Sequence, residues 1–168
     1  MRKHSSVKEF GEYRRRILKD RNKEYERPTL VVCGGTGGQA SGSNDIIRII
    51  KKSILEKGLQ ERIGLRITGC QGFCEMDPFI VVEPGRQLYP KLKMEDVPKV
   101  IGAALDGYVN EELIYKEPGY NRTYHNQNDI PFFNKQTRTI LGYNQKLDPI
   151  RIYNYMEQGG YALSLIHI

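Results

Sequence analysis

A chain of 168 residues with 39% hydrophobic and 27% charged side chains has room for one domain of ordinary size plus extensions. This composition excludes a disordered chain, and the sequence holds no run of about 18 apolar residues that could span a bilayer. The net charge of +6 is concentrated at the front: residues 1–27 carry ten Lys/Arg against five Asp/Glu, which leaves only +1 for the remainder. A basic arm of this kind suits an acidic partner, but it lacks the interleaved aromatics and groove-reading motifs of nucleic-acid binders, so no nucleic acid is expected. Arg2 and Lys3 open the chain without the apolar stretch of a secretory signal, so a cytoplasmic location is expected, with no direct membrane insertion.

In chain order, Val7, Phe10, Arg14, Ile17 and Leu18 mark a basic N-terminal helix within residues 1–27, packed on its own domain or on a neighbouring subunit. Pro28 ends it, and Thr29-Leu-Val-Val-Cys33 reads as a short buried strand rich in β-branched residues. A glycine-rich loop follows. Ser43, Asn44 and Asp45 offer a helix cap, after which Ile46, Ile47, Ile49, Ile50, Ile54 and Leu55 form an apolar stripe that stops at Lys57 and Gly58. Residues 63–68 form a second strand, leading into a turn that carries Cys70 and Cys74. Residues 79–83 and 87–92 flank Pro84-Gly-Arg86 as a hairpin. An amphipathic helix over 94–105 turns Val97, Val100, Ile101, Ala104 and Leu105 inward. The order β-α-β-β-β-α is that of a thioredoxin-like α/β sheet covered by helices. Residues 116–135 show no sustained period and read as a linker, and residues 136–168 as the truncated start of a second domain, too short for a core of its own.

Three cysteines without a secretion signal point to metal or redox chemistry rather than a disulfide framework. Cys70 and Cys74 share one loop, and Cys33 ends the first strand. Parallel strands of a βαβ unit bring their carboxyl ends to one edge of the sheet, so all three thiols can converge there. Thiolates are soft ligands for iron-sulfur clusters and zinc, which normally take four. On spacing alone, three ordinary buried cysteines remain a competing reading.

Two stretches narrow this. Cys33-Gly-Gly-Thr-Gly-Gly38-Gln-Ala-Ser-Gly-Ser43 and Thr68-Gly-Cys70-Gln-Gly-Phe-Cys74-Glu-Met-Asp-Pro78 resemble the paired cluster loops of thioredoxin-like 2Fe-2S ferredoxins. The resemblance spans roughly residues 28–115. It implies a 2Fe-2S cluster held by Cys33, Cys70 and Cys74, with Gly38 where the family has a fourth cysteine, and it implies one-electron transfer. Ser41 or Ser43 is then the nearest replacement ligand, and Gln39 a poorer one. Glu75 and Asp77 beside the second loop read as solvated turn residues.

Gln136-Thr-Arg138, Leu141, Asp148-Pro149, Tyr155 and Gly159-Gly-Tyr-Ala-Leu163 resemble the opening of the NADH- and FMN-binding flavoprotein subunit of NADH-dependent hydrogenases and formate dehydrogenases. That resemblance implies partner subunits of a multi-subunit oxidoreductase. The FMN and NADH site would belong to an intact longer protein and is not contained in this chain. Residues 164–168 depart from the pattern, so a truncated end is expected.

Two further readings compete. A thioredoxin-like scaffold that lost its cluster and only docks subunits is supported by Gly38. A dinucleotide-binding domain is formally matched by Gly35-Thr-Gly37-Gly-Gln-Ala40; it expects a helix to start within the glycines, whereas the capping signal lies at Ser43 and Asn44. A zinc site would need a histidine, yet His4, His125 and His167 all lie outside the core unit.

Overall fold

The computed structural model describes residues 6–120 and 122–161, with the backbone alone over 20–25. The expectations placed on residues 1–5 and 162–168, including His4, His167 and the departure at 164–168, lie outside the described residues.

Helix α1 (Val7–Tyr25) starts where the Ser6 hydroxyl accepts from the Glu9 amide at 3.2 Å. It buries Ile17 and meets a later helix, α6 (Ile152–Glu157), where Arg14 Nε donates to the Met156 carbonyl at 2.9 Å. After Pro28 the chain enters the sheet.

Four strands form it: β1 (Thr29–Cys33), β2 (Gly64–Thr68), β3 (Ile80–Glu83) and β4 (Gln87–Tyr89), in the spatial order β2-β1-β3-β4. β1 and β2 run parallel, with Cys33 opposite Thr68; β3 runs antiparallel to β1, and β4 closes the hairpin. The crossover between the parallel pair contains α3 (Ser43–Glu56). The last strand leads through a turn of 3-10 helix to α4 (Val97–Asp106), which ends at Gly107 with φ 73°, a left-handed cap open to glycine. This parallel β-α-β unit, hairpin and closing helix make the chain a thioredoxin-like α/β fold, as its order of elements predicts.

The pleat sends alternate residues of each strand to opposite faces. Leu30, Val32, Ile80, Val82 and Tyr89 face α3 and α4, where they meet Ile46, Ile50, Ile54, Val97, Val100 and Ile101 in a mostly aliphatic core. Val31, Cys33, Phe79, Val81 and Leu88 face the other way, into a core built from Phe73, Met76, Tyr115, Tyr124, Ile130 and Phe133.

That second core includes residues from the stretch read as a linker. Between 116 and 135 lie an isolated bridge from Lys116 to Thr123, a 3-10 turn (Gln127–Asp129) and the short helix α5 (Pro131–Asn134). The stretch has no periodicity because it is a strap laid across one face of a sheet: single anchors at Tyr124, Ile130 and Phe133 are buried, and exposed residues separate them.

The glycine-rich loop also differs from expectation. Thr36–Ala40 forms a short helix, α2, and the cap of α3 is Gly42 at φ 99° rather than the serine that follows. A sharp left-handed turn between two helical segments requires that glycine. Ser43 is thereby drawn into the helix and buried.

Candidate functional site

The carboxyl ends of β1 and β2 lie side by side, and the loops that leave them interlock. Gly34 N donates to the Thr68 carbonyl at 2.8 Å, which clamps the start of the glycine loop to the start of the cysteine loop. A Cβ placed on Gly35 would lie 3.0 Å from Cys70 Cβ, and one on Gly37 would lie 3.0 Å from Cys74 Sγ. One on Gly38 would lie 3.1 Å from Cys33 Sγ. The glycine loop therefore touches all three cysteines in succession, and only a loop without side chains allows that approach. Cys70 Sγ and Cys74 Sγ are 3.6 Å apart across their own turn.

The electrostatic setting of the sulfurs follows from this crowding. Burial pushes the Cys33 thiol up; the Gly35 and Gln71 amides, which face its sulfur, pull it down, and the charge of Asp77 raises it again. The hydrogen-bonded contact with Cys70, then burial, push the Cys74 thiol up to about 11. The Gly72 amide donates to Cys70 Sγ at 3.3 Å. Amides of both loops thus point at sulfur, an arrangement that favours negative charge there once the protons leave.

A buried polar chain holds the cysteine loop from behind. Arg86 Nη2 donates to Gln127 Oε1 at 2.6 Å, Gln127 Nε2 to Gln71 Oε1 at 3.2 Å, and Gln71 Nε2 to Thr68 Oγ1 at 3.2 Å. Thr68 Oγ1 donates onward to the Val32 carbonyl at 3.3 Å. From outside, Arg138 donates to the Gln71 carbonyl and lies over the Phe132 and Phe133 rings, while Asn144 Nδ2 donates to the Cys70 carbonyl at 3.0 Å. Gln71, Gln127, Arg138 and Asn144 were not legible as site residues: each is set in place by a contact from a distant part of the chain.

Asp77 requires a correction. Expected as a solvated turn residue, it is 8% exposed, and neither carboxylate oxygen has a partner in hydrogen-bond geometry. Met76 and Phe79, on either side, are anchored in the aromatic core and draw it inward. Burial raises its pKa to about 6, and looser approaches by the Cys33 thiol and the Phe79 amide pull the other way. Glu75 is exposed, as expected.

Position 38 is closed. A Cβ there would come within 2.8 Å of the Cys33 carbonyl oxygen and 2.9 Å of Ser43 Oγ. Ser43 Oγ is fully buried and without a partner, Ser41 is exposed, and Gln39 Nε2 is committed to the Gly34 carbonyl at 2.8 Å.

These features fit an iron-sulfur group. Soft thiol donors surround a glycine cradle, and two buried oxygen-bearing side chains lack partners that such a group could provide. Among the described residues no three His, Cys, Asp or Glu side chains converge on one ion. A two-iron cluster does not ask for that, because it divides its four ligands between two irons. A single zinc ion does ask for it, and His125 is exposed and paired with Glu111 at 2.9 Å, away from the thiols.

The helix start that a dinucleotide site expects is present at α2, yet that helix has only five residues and its opening end abuts Cys70. No helix among the described residues is long and apolar enough to cross a membrane.

No family model matches the chain. Among solved structures it is similar to the wild-type thioredoxin-like 2Fe-2S ferredoxin from Aquifex aeolicus, at 25% identity and TM-score 0.48, over 54% of this chain and 98% of that one. A second structure of a thioredoxin-like 2Fe-2S ferredoxin from Aquifex aeolicus matches at 23% identity and TM-score 0.48, over 58% of this chain and 98% of that one. A cysteine-to-serine variant of the ferredoxin from the same organism matches at 24% identity and TM-score 0.47, over 54% and 99%.

Proposed function

We propose that this chain relays single electrons through a 2Fe-2S cluster held by Cys33, Cys70 and Cys74. The observation that carries the reading is the contact of one glycine loop with all three cysteines at the shared end of β1 and β2. When bound, such a cluster takes up and gives back one electron. The protein's part is to release the thiol protons, orient the sulfurs, and shield them. Burial of Cys33 keeps water from one side, while Cys70 is half-buried and Cys74 exposed. The Gly72 amide donates to Cys70 Sγ, and the Gly35 and Gln71 amides favour the ionised form of Cys33, so that the more negative state is stabilised.

We assign the relay to the flavoprotein arm of a cytoplasmic NADH-dependent oxidoreductase. The likeness of residues 136–163 to the opening of an FMN- and NADH-binding subunit supports this, as does the basic arm, a suitable contact for a partner subunit.

The test is iron and acid-labile sulfide content after anaerobic reconstitution, with electron paramagnetic resonance after reduction. Two irons per chain and a reduced 2Fe-2S signal are expected. A folded chain that takes up no iron would overturn the relay and favour the cluster-free docking scaffold, for which the closed position 38 already speaks.

A further inference from the structure

We propose that the Asp77 carboxylate, and not a side chain at position 38, supplies the fourth ligand of the cluster. The assignment rests on the relay reading of the same site.

Asp77 is more than nine-tenths buried, and neither of its oxygens has a partner in full hydrogen-bond geometry, the Cys33 thiol and the Phe79 amide making only looser approaches. A carboxylate in that setting is costly unless a cation or a metal meets it. Three of the guanidiniums among the described residues are engaged elsewhere: Arg66 pairs with Glu83 at 2.7 Å, Arg86 donates to Gln127 and Gln145, and Arg138 donates to the Gln71 carbonyl. Its charge raises the pKa of the Cys33 and Cys74 thiols, and the Cys33 thiol in turn favours its ionised form. The backbone holds it there, with Asp77 N donating to the Cys74 carbonyl at 3.1 Å, one turn after the ligand.

The alternatives are less well placed. Position 38 has no side chain and no room for one without movement of the Cys33 backbone. Ser43 Oγ meets the site only across Gly38, and its hydroxyl would have to shed a far more tightly held proton than a carboxyl group does. A carboxylate is an established donor to protein iron. On cluster assembly the Cys33, Cys70 and Cys74 thiols would each lose a proton to solvent. The Asp77 oxygen would form the remaining iron bond, and the electron count of the metal would not change.

The parent chain, Asp77→Asn, Asp77→Cys and Ser43→Ala are reconstituted anaerobically and compared by iron and sulfide content, paramagnetic resonance, Mössbauer spectra and rate of iron loss to a chelator. The parent is expected to show one iron with an oxygen-containing shell. Asp77→Asn should lose iron about tenfold faster or more. Asp77→Cys should retain iron and convert the spectra to an all-thiolate pattern. In the iron-free state Asp77→Asn should melt at a higher temperature than the parent, a gain that a merely structural role for the carboxylate would reverse. Should the parent and Asp77→Asn hold iron equally with the same spectra, or should Ser43→Ala be the variant that loses it, the ligand assignment falls while the relay stands. If Asp77→Asn does not fold, an unchanged spectrum in Asp77→Cys overturns the assignment on its own. A folded parent that takes up no iron overturns the relay itself.

Discussion

The two faces of the sheet are built to different rules. Against α3 and α4 the side chains are almost all aliphatic, and Ile50, Val97 and Val100 are fully buried. On the other face, aromatic rings from the strap at 115–133 cover a cysteine strand, and buried polar groups persist at Gln71, Gln127 and Asp77. A core that serves only stability excludes unpaired polar atoms. The second face pairs Gln71 and Gln127 with each other but leaves the Asp77 carboxylate unpaired, three residues from Cys74. The contrast separates the part of the molecule that holds the fold from the part proposed to hold the cluster.

Substitutions on each face should divide in the same way. Ile50→Ala removes a fully buried side chain and should cost about 2–5 kcal/mol in urea unfolding. Iron uptake per folded chain should match the parent; a change in that stoichiometry would break the division. Gln71→Leu takes the acceptor from the Gln127 amide nitrogen and the donor from the Thr68 hydroxyl oxygen, a loss of about 1–3 kcal/mol. Unlike Ile50→Ala, it should also speed iron loss to a chelator, because it frees the loop between the two cysteines.

Phe73 sits in that same loop and stacks on Phe132 at 4.4 Å, with Phe133 and Tyr115 rings at 5.2 and 5.8 Å. Phe73→Leu keeps most of the bulk and gives up the ring pairs, so stability should fall by about 1 kcal/mol. Oxygen-driven bleaching of the reconstituted protein should quicken nonetheless; equal bleaching would mean that the strap does not shield the site. Lys52→Ala removes an exposed contact with Glu56 at 3.8 Å and should leave the melting curve within about 0.5 kcal/mol of the parent.

Much of the aliphatic face was legible in advance. The isoleucine spacing of α3, the stop at Gly58 and the inward residues of α4 all follow from local periodicity, and their burial follows from the helix geometry. The site was legible only through its cysteines and glycines, whose types and spacing point to a thiol-ligated group. Asp77 stood in view within Cys74-Glu-Met-Asp-Pro78, but its sequence neighbours are turn formers, and nothing local distinguishes a buried turn carboxylate from a solvated one. Gln127 and Asn144 carried no signal at all, because their partners lie in the cysteine loop, far away along the chain.

By itself, the sequence determined the α/β order of elements, the parallel pairing that aims β1 and β2 at one edge, and the identity of the soft donors. These are properties of residue type and short-range period, which act before the chain has closed on itself. The tertiary structure decided the rest. It turned an aperiodic stretch into a strap, closed position 38 against Cys33 and Ser43, and buried Asp77 beside two sulfurs. Each of those outcomes depends on which distant surfaces meet, and desolvation acts on a group only once its neighbours have arrived.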